Sequence, residues 1–143
     1  MSVKQAAWIH GCSVQLEDVS WAALRQEGGT YVRPSSTTTT GWVHFPIPTP
    51  SIADGFRLKA VSSFVRFSTG PRASIVSYHV NDGEKSILSQ DVSYSGGLQT
   101  VQVDVSGSPS ISWGTSISLQ VKFDGNGPDA WIQLVSAGID FSS

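Results

Sequence analysis

The sequence predicts an all-β domain, folded as an antiparallel β-sandwich. Three observations lead to this prediction: apolar and polar residues alternate along most of the chain, turn-forming residues interrupt the alternation at short intervals, and helical patterns are nearly absent. Successive side chains of a strand point to opposite faces of the sheet, so this alternation indicates strands with one buried and one wet face. Turns at this spacing leave room for about eight or nine strands of typical length and favour the jelly-roll type of sandwich.

The alternation is clearest at residues 115–123, where apolar and polar side chains alternate without interruption. Residues 99–105 and 41–47 repeat the pattern. In the run 56–67 the phase of the apolar residues changes near Ser62. A phase change inside a strand indicates a β-bulge or a strand that crosses to the other sheet.

Two further runs predict which residues share a face of their strand. In the run 73–80, Ile75 is in phase with Ser77. The last run, 131–141, places five apolar residues in one phase: Trp131, Val135, Ala137, Ile139 and Phe141. We therefore expect each of these sets on one side of its strand, because the side-chain period of a strand is two.

Turn-forming residues stand where these runs end. Asp-Gly and Gly-Gly supply the left-handed backbone positions that tight hairpins need. We predict turns at Gly28-Gly29, 46–50, Asp54-Gly55, Gly70-Pro71, 81–83, Gly96-Gly97, 107–109 and 124–128. Residues 19–25 are the exception to the strand pattern, since they fit one helical turn or a short helix with Ser20 as its N-cap.

The length of 143 residues and the absence of a linker predict one domain, 1–143. Cys12 is the single cysteine, so no disulfide can form within the chain, and we expect it as a small buried residue on a strand. The N-terminal residues lack the apolar stretch of a secretory signal. These features predict a cytoplasmic protein or one exported by a leaderless route.

The charge pattern excludes some classes of partner. The nine lysines and arginines are scattered, and the net charge is −2, so nucleic-acid binding is not expected. No apolar run is long enough to span a membrane, which predicts a soluble protein with no membrane partner. Only 14% of the residues are charged, a low fraction that suggests a surface partly covered in a homo-oligomer.

Motifs of catalysis are missing from the sequence. It contains no Gly-x-Ser-x-Gly elbow and no His-Glu-x-x-His, and no catalytic residue can be named. His10, His44 and His79 lie on predicted strands and could converge on a zinc ion. Nothing in their spacing requires this, and a hydrogen-bonded structural histidine is the simpler interpretation of each.

The segment 124–129, Asp-Gly-Asn-Gly-Pro-Asp, is the best candidate for a metal site. Asp124, Asn126 and Asp129 offer the oxygen ligands that calcium prefers, in a glycine-rich loop. The segment does not follow the spacing of the helical calcium loop, and the same residues favour a hairpin turn. Calcium is the one cofactor that the sequence suggests.

Five tryptophans are many for a chain of this length. Trp42 is out of phase with the apolar residues 43, 45 and 47, so it shares the polar face of its strand with His44. Trp113 lies in a turn-rich segment. An exposed indole beside hydroxyl and amide groups offers the flat apolar platform that a sugar ring needs. For any single tryptophan, a place in the core or in a protein interface is the simpler interpretation.

Three segments resemble a family of small, uncharacterised microbial β-proteins: Ala-Trp-Ile-His-Gly-Cys-Ser-Val-Gln at 7–15, Trp-Val-His-Phe-Pro-Ile-Pro-Thr-Pro at 42–50 and Val-Asn-Asp-Gly at 80–83. The resemblance spans most of the chain and implies one intact domain, but no activity or catalytic residue. The architecture is also similar to that of jelly-roll lectins and carbohydrate-binding modules, which is a likeness of fold and does not imply function.

The function predicted first is a non-catalytic module that binds a small molecule, with carbohydrate as the favoured ligand. Trp42 or Trp113 would be the platform. His44, Asp124, Asn126 and Asp129 would be polar or calcium-binding partners. The first alternative is a small isomerase or cyclase with an aromatic pocket and a His or Asp acid/base. The second is a structural protein that assembles into an oligomer.

Overall fold

The protein is a sandwich of two antiparallel β-sheets, as predicted. A computed structural model describes residues 3–50, 52–53 and 55–143. The strands in this part of the chain are β1 (Gln5–His10), β2 (Gln15–Leu16), β3 (Ala22–Gln26), β4 (Gly29–Arg33), β5 (Thr40–Ile47), β6 (Ile52–Ala53), β7 (Phe56–Arg57), β8 (Lys59–Thr69), β9 (Ala73–Asp82), β10 (Lys85–Tyr94), β11 (Gln99–Asp104), β12 (Thr115–Phe123) and β13 (Ile132–Ser142).

One sheet has six strands and the other five. The six-stranded sheet runs β11-β8-β13-β4-β3, and β1 pairs with the C-terminal half of β13. The five-stranded sheet runs β10-β9-β12-β5-β2, and β6 pairs with β7 in a small separate hairpin. Among the described residues none forms a helix that is long and apolar enough to cross a bilayer.

The strands are more numerous than the predicted eight or nine, because short edge strands escape the alternation pattern. The described residues contain thirteen strands, of which β2, β6 and β7 have two residues each. Strand β3 is exposed along its whole length, so its sequence carries no alternation. A two-residue strand is too short for a period to be visible.

The helical turn predicted at 19–25 is wrong. The Asp18 carboxylate accepts hydrogen bonds from the backbone N and the Oγ of Ser20, at 2.8 and 2.6 Å, and this closes a turn instead. Trp21 is then buried, and its indole N–H donates to the Thr38 carbonyl. From Ala22 onward the chain pairs with β4, so the tertiary pairing overrides the weak helical pattern.

The core lies between the two sheets and is built from the alternating residues that the sequence indicates. In β12 the apolar residues of the predicted alternation are buried, and their polar neighbours point to the opposite side. The largest fully buried side chains are Tyr78, Phe45, Phe67, Phe123, Phe141, Leu58, Ile75, Ile111, Ile117, Leu119, Ile132 and Leu134.

A bulge in β13 shows that the prediction of one common side for the apolar residues of 131–141 is wrong. Leu134 pairs with Phe67 and Ser136 with Arg66, so Val135 is an extra residue in its strand. The inserted residue reverses the phase, and Leu134 is buried on the same side as Ala137. Trp131 precedes the bulge, so it faces away from the core, unlike the later apolar residues with which the sequence placed it.

The bulge predicted near Ser62 is present, and β9 contains another. Asp140 pairs with Ser62 and Phe141 with Ala60, which leaves Val61 as the extra residue of β8. In β9, Gln120 pairs with Ser77 and Val121 with Ile75. Val76 is therefore inserted, and Ile75 is fully buried while Ser77 lies on the outer face, which corrects the prediction that they share a side.

Several predicted turns are tight hairpins. Strands β9 and β10 meet across Gly83, whose φ of +58° is in the left-handed region that favours glycine. Strands β3 and β4 meet through Glu27 and Gly28. In the predicted turn at Asp54-Gly55, Asp54 lies outside the described residues.

Cys12 is exposed and is not on a strand, contrary to the sequence prediction. It lies in a 3-10 turn, Gly11–Ser13, that interrupts the alternation. The backbone N of Cys12 donates to the His10 Nδ1 at 3.0 Å, which holds the turn. A Cβ added at Gly11 would lie 1.8 Å from the Leu134 carbonyl oxygen, so the turn rests directly on the backbone of β13.

We expect Gly11→Ala to destabilise the fold by at least about 1–3 kcal/mol, because the backbone it would touch cannot move aside. Gly97→Ala is the matched control, since a Cβ there meets nothing within 4 Å. Urea denaturation of both variants measures the effect. Equal stabilities of the two variants would contradict the close packing of Gly11 on the backbone of β13.

A buried hydrogen-bond chain joins the two sheets. The Tyr78 hydroxyl in the five-stranded sheet donates to the Ser63 Oγ at 2.9 Å, and the Ser63 Oγ donates to the Val103 carbonyl at 2.8 Å in the six-stranded sheet. Burial raises the pKa of Tyr78, so the phenol stays protonated and remains a donor.

These two hydrogen bonds predict that one of two variants loses more stability than the other. Tyr78→Phe leaves Ser63 with its acceptor, and we expect a loss of about 1 kcal/mol. Ser63→Ala leaves the buried Tyr78 hydroxyl without a partner, and we expect a larger loss, about 2–3 kcal/mol. Chemical denaturation of both variants measures the difference, and the reverse order would be inconsistent with this chain.

Candidate functional site

The outer face of the five-stranded sheet carries a continuous polar surface. Residues that face one another across antiparallel strands share a side, so the register defines rows of neighbouring side chains. One row is Gln15, His44, Ser118, His79 and Ser89. The next row is Trp42, Gln120, Ser77 and Asp91. The inner neighbours of these residues fill the core, so the core fixes the positions of this surface.

Trp42 stands on this polar face, as the sequence predicts. Its ring centroid is 4.7 Å from that of His79, and the rings are tilted by 50°. Ser118, which lies between His44 and His79 in the neighbouring row, is only 4% exposed. The Trp42 indole N–H has no acceptor within the described part of the protein and is not buried, so it remains open to a ligand.

His44 has a polar neighbour at each ring nitrogen. Its Nδ1 is hydrogen-bonded to the Ser118 Oγ at 2.7 Å, and its Nε2 lies 3.2 Å from the Glu17 carboxylate, at ion-pair distance. Which group donates in the Ser118 pair depends on the ring tautomer. The imidazole is therefore positioned by Ser118 and lies beside a carboxylate.

Two depressions adjoin at Trp42 and Glu17, and together we call them the Trp42 groove. The first has a volume of about 260 Å³ and is lined by Glu17, Trp42, His44, His79, Asn81 and Ser118. The second has about 430 Å³ and is lined by Glu17, Asp18, Val19, Thr40, Gly41 and Trp42. The groove therefore presents one indole between carboxylates, imidazoles and an amide.

Trp113 lies elsewhere. It is 78% exposed on the loop before β12 and lines neither depression. Trp42 pairs in register with Gln120, and Thr115, where β12 begins, lies about 17 Å from Gln120 along the strand. The structure thus brings Trp42 and His44 together but not Trp113.

Asp82 holds the Trp113 loop in place. Its carboxylate accepts the backbone N–H groups of Ser112, Trp113 and Gly114 at 2.9, 2.8 and 3.2 Å. Burial raises the pKa of Asp82, but these donors and the charge of Lys85 outweigh it, and the pKa lies below the ordinary 3.8.

We expect Asp82→Ala to destabilise the protein by about 1–3 kcal/mol at neutral pH, because three backbone donors lose a charged acceptor. The folded-state pKa is depressed, so this stabilisation is full above about pH 4–5 and is lost as the pH falls through the folded value. Urea denaturation at pH 7 and below pH 3.8 should show that the difference in unfolding free energy between wild type and Asp82→Ala becomes smaller at low pH. Glu84→Ala, in the same turn, is the control. A difference that does not depend on pH would exclude a role for the charge of Asp82.

The predicted calcium ligands are on the loop between β12 and β13 and line neither depression of the Trp42 groove. Asp124 is exposed and pairs with Arg72 at 2.8 Å. Asp129 is also exposed. Within the described ranges no group of three or more His, Cys, Asp or Glu side chains is placed to hold a metal ion. Calcium binding at Asp124, Asn126 and Asp129 stays a prediction.

Of the three histidines, two share the groove. His44 and His79 line it together, whereas the ring of His10 bonds to the backbone of Cys12 instead. The zinc site considered from the sequence is not assembled by the residues that the structure describes.

The sequence reasoning missed a second concave site, on the outer face of the six-stranded sheet. This hairpin cleft, of about 420 Å³, is lined by Ala22, Ala23, Leu24, Tyr31, Arg33, Pro128 and Trp131. Tyr31 and Trp131 form its aromatic wall, with ring centroids 5.9 Å apart and a 48° tilt. Two errors hid it: the bulge at Val135 reversed the phase of Trp131, and β3 was taken for a helical turn.

Comparison with known sequences places the chain in a family. Residues 2–143 match the sequence profile of a family of unknown function, DUF6623. The chain belongs to this family. The match agrees with the resemblance to uncharacterised β-proteins found in the sequence and covers nearly the whole chain. No curated protein matches the DUF6623 sequence described here.

Solved structures show the same fold at low identity. A low-affinity xylan-binding module, CBM86, of Roseburia intestinalis aligns with a TM-score of 0.59 and 13% identity, covering 96% of each chain. The C-terminal CBM6 of a laminarinase from Zobellia galactanivorans aligns at 0.52 and 17%, covering 94% of this chain and 99% of that one. A family two carbohydrate esterase of Cellvibrio japonicus aligns at 0.51 and 6%, but the match spans only 34% of that longer chain.

These likenesses concern fold. They confirm the predicted jelly-roll sandwich and its similarity to carbohydrate-binding modules. At identities of 6–17% they carry no site residue over to this chain. The function has to be argued from the side chains of this protein.

Proposed function

We propose that this DUF6623 protein is a non-catalytic carbohydrate-binding module whose ligand lies in the Trp42 groove. The observation that carries the proposal is the half-buried Trp42 indole, with an unused N–H, between two depressions lined by hydrogen-bonding side chains. An apolar platform with convergent polar groups is the general form of a site for a small polar ligand.

The chemistry of the groove matches that of a sugar ring. The C–H face of a pyranose is apolar and packs on an indole, while its hydroxyls both donate and accept hydrogen bonds. Glu17 and Asp18 accept, the indole N–H of Trp42 donates, and the Asn81 amide does both. The Asn81 side chain has no partner in the described part of the protein, so it is available to a ligand.

The charge of the groove favours a neutral sugar. Two carboxylates line it, and no lysine or arginine does. An anionic ligand would meet like charges, which disfavours its binding. His44, hydrogen-bonded to Ser118, adds a positioned polar group, and groups that are in position before binding reduce the entropy lost on binding.

The neighbours of this fold support the ligand class. One is described as a xylan-binding module and another as a CBM6 attached to a laminarinase. The enzyme alternative, an aromatic pocket with a His or Asp acid/base, has no such group in the hairpin cleft among the described residues that line it. The assembly alternative would require that the exposed aromatic residues contact another chain.

We expect Trp42→Ala to weaken glycan binding about tenfold or more, since truncating a tryptophan at the centre of a contact typically costs about 2 kcal/mol or more. A glycan array, run with calcium and with a chelator, identifies the ligand, and titration calorimetry then measures the affinity of each variant. Loss of binding in the chelator would support calcium at the Asp124 loop.

Two other exposed tryptophans serve as comparisons. Trp113→Ala tests the second predicted platform, and Trp8→Ala, on the six-stranded sheet, is the control. Binding that survives Trp42→Ala but is lost in Trp113→Ala would move the site to the loop. A folded protein that binds no neutral glycan would overturn the proposal.

A further inference from the structure

The hairpin cleft differs from the Trp42 groove in its charge. It lies on the outer face of the six-stranded sheet, so the two sites are on opposite sides of the sandwich. Its volume of about 420 Å³ falls within the range of ligand sites, roughly 300–1,000 Å³.

The aromatic wall of the cleft is held by the backbone. The Gly70 N–H donates to the Trp131 carbonyl at 3.0 Å, and a Cβ at Gly70 would lie 2.6 Å from the Trp131 Nε1. The indole therefore fits against a glycine, where any other side chain would push it out of position. Tyr31 is in β4, the strand next to β13, so the two rings have fixed relative positions.

The hydrogen-bond donors of the cleft are largely unpaired within the described part of the protein. Neither the Tyr31 hydroxyl nor the Trp131 indole N–H has a hydrogen-bond partner in the residues described, and neither atom is buried. Only one hydrogen bond of the Arg33 side chain is formed, from Nη2 to the Gly127 carbonyl at 3.1 Å.

Arg33 also lacks a counter-charge. Its guanidinium has no carboxylate within 4.0 Å over 3–50, 52–53 and 55–143, whereas Arg72, on the loop between β8 and β9, does. Among these same residues, none that lines the cleft is Asp or Glu. A guanidinium offers two parallel N–H groups that match a carboxylate. A site with one free cation, free donors and no acid attracts an anion.

We propose that the hairpin cleft binds an acidic sugar residue, a uronate, whose ring packs on Tyr31 and Trp131 and whose carboxylate pairs with Arg33. The aromatic wall requires a ring with an apolar face, and the arginine requires the negative charge. That the ring is a sugar rests on the proposed function; that it is anionic rests on the cleft alone.

Titration calorimetry at low salt tests this proposal. The probes are tetramers of galacturonate, glucuronate and mannuronate, each beside the neutral oligosaccharide of the same linkage. We expect the wild type to bind at least one acidic tetramer, and its affinity to fall as sodium chloride is added. Arg33→Gln should weaken that binding about tenfold or more, because it removes a charged hydrogen bond.

Matched variants separate this site from the other. Trp131→Ala should also abolish binding of the acidic tetramer, whereas Arg66→Gln and Trp8→Ala, on the same sheet but outside the cleft, should not. Trp42→Ala should affect neutral glycans only. Thermal unfolding checks that each variant folds, and Arg33→Gln changes an exposed residue, so it remains informative if Trp131→Ala is unstable.

Two results would overturn the proposal: no acidic tetramer binds, or binding is unchanged in Arg33→Gln. If the protein binds acidic tetramers but no neutral glycan, the proposal for the cleft stands and the one for the Trp42 groove is refuted. If it binds only neutral glycans, the proposal for the groove stands and the one for the cleft is refuted.

Discussion

Both sheets of this sandwich share one core, and that constraint decides where every functional side chain points. A strand can serve the core only if its apolar residues stay on one side over its whole length. Strands β8, β9 and β13 meet this requirement by inserting one residue each, at Val61, Val76 and Val135. Each insertion changes the phase of the strand, so residues on the two sides of a bulge are presented to different surroundings.

The same bulges shape the two candidate sites. The extra residue Val76 keeps Ile75 in the core and leaves Ser77 and His79 on the outer face, where His79 meets Trp42. The extra residue Val135 allows Leu134 to stay buried while Trp131 faces outward beside Tyr31. His79 and Tyr31 stand on paired strands, whereas Glu17 and Trp131 come from segments between strands, so each site combines both.

The sequence predicts the fold class and half of the Trp42 groove, and physical reasons limit the rest. Trp42 and His44 could be placed because their strand has no bulge, so a period of two holds over its whole length. His79 and Glu17 come from other segments, and only the register of the sheet brings them to the groove. Trp131 was assigned to the wrong side because the extra residue Val135 can be recognised only from the pairing of β13 with β8. Cys12 was misplaced because the 3-10 turn Gly11–Ser13 interrupts the strand at that point.

The two sites lie on opposite faces of the sandwich, and this arrangement has a mechanical consequence. The segment 18–22 runs around one edge of the sandwich between them, since Asp18 and Val19 line the groove and Ala22 lines the cleft. Three residues span at most about 11 Å, so the two sites come close at this edge. If both sites bind, a polymer flexible enough to round the edge would meet the second site at a raised effective concentration once the first is filled. The avidity of the domain would then depend on the length and stiffness of the polymer.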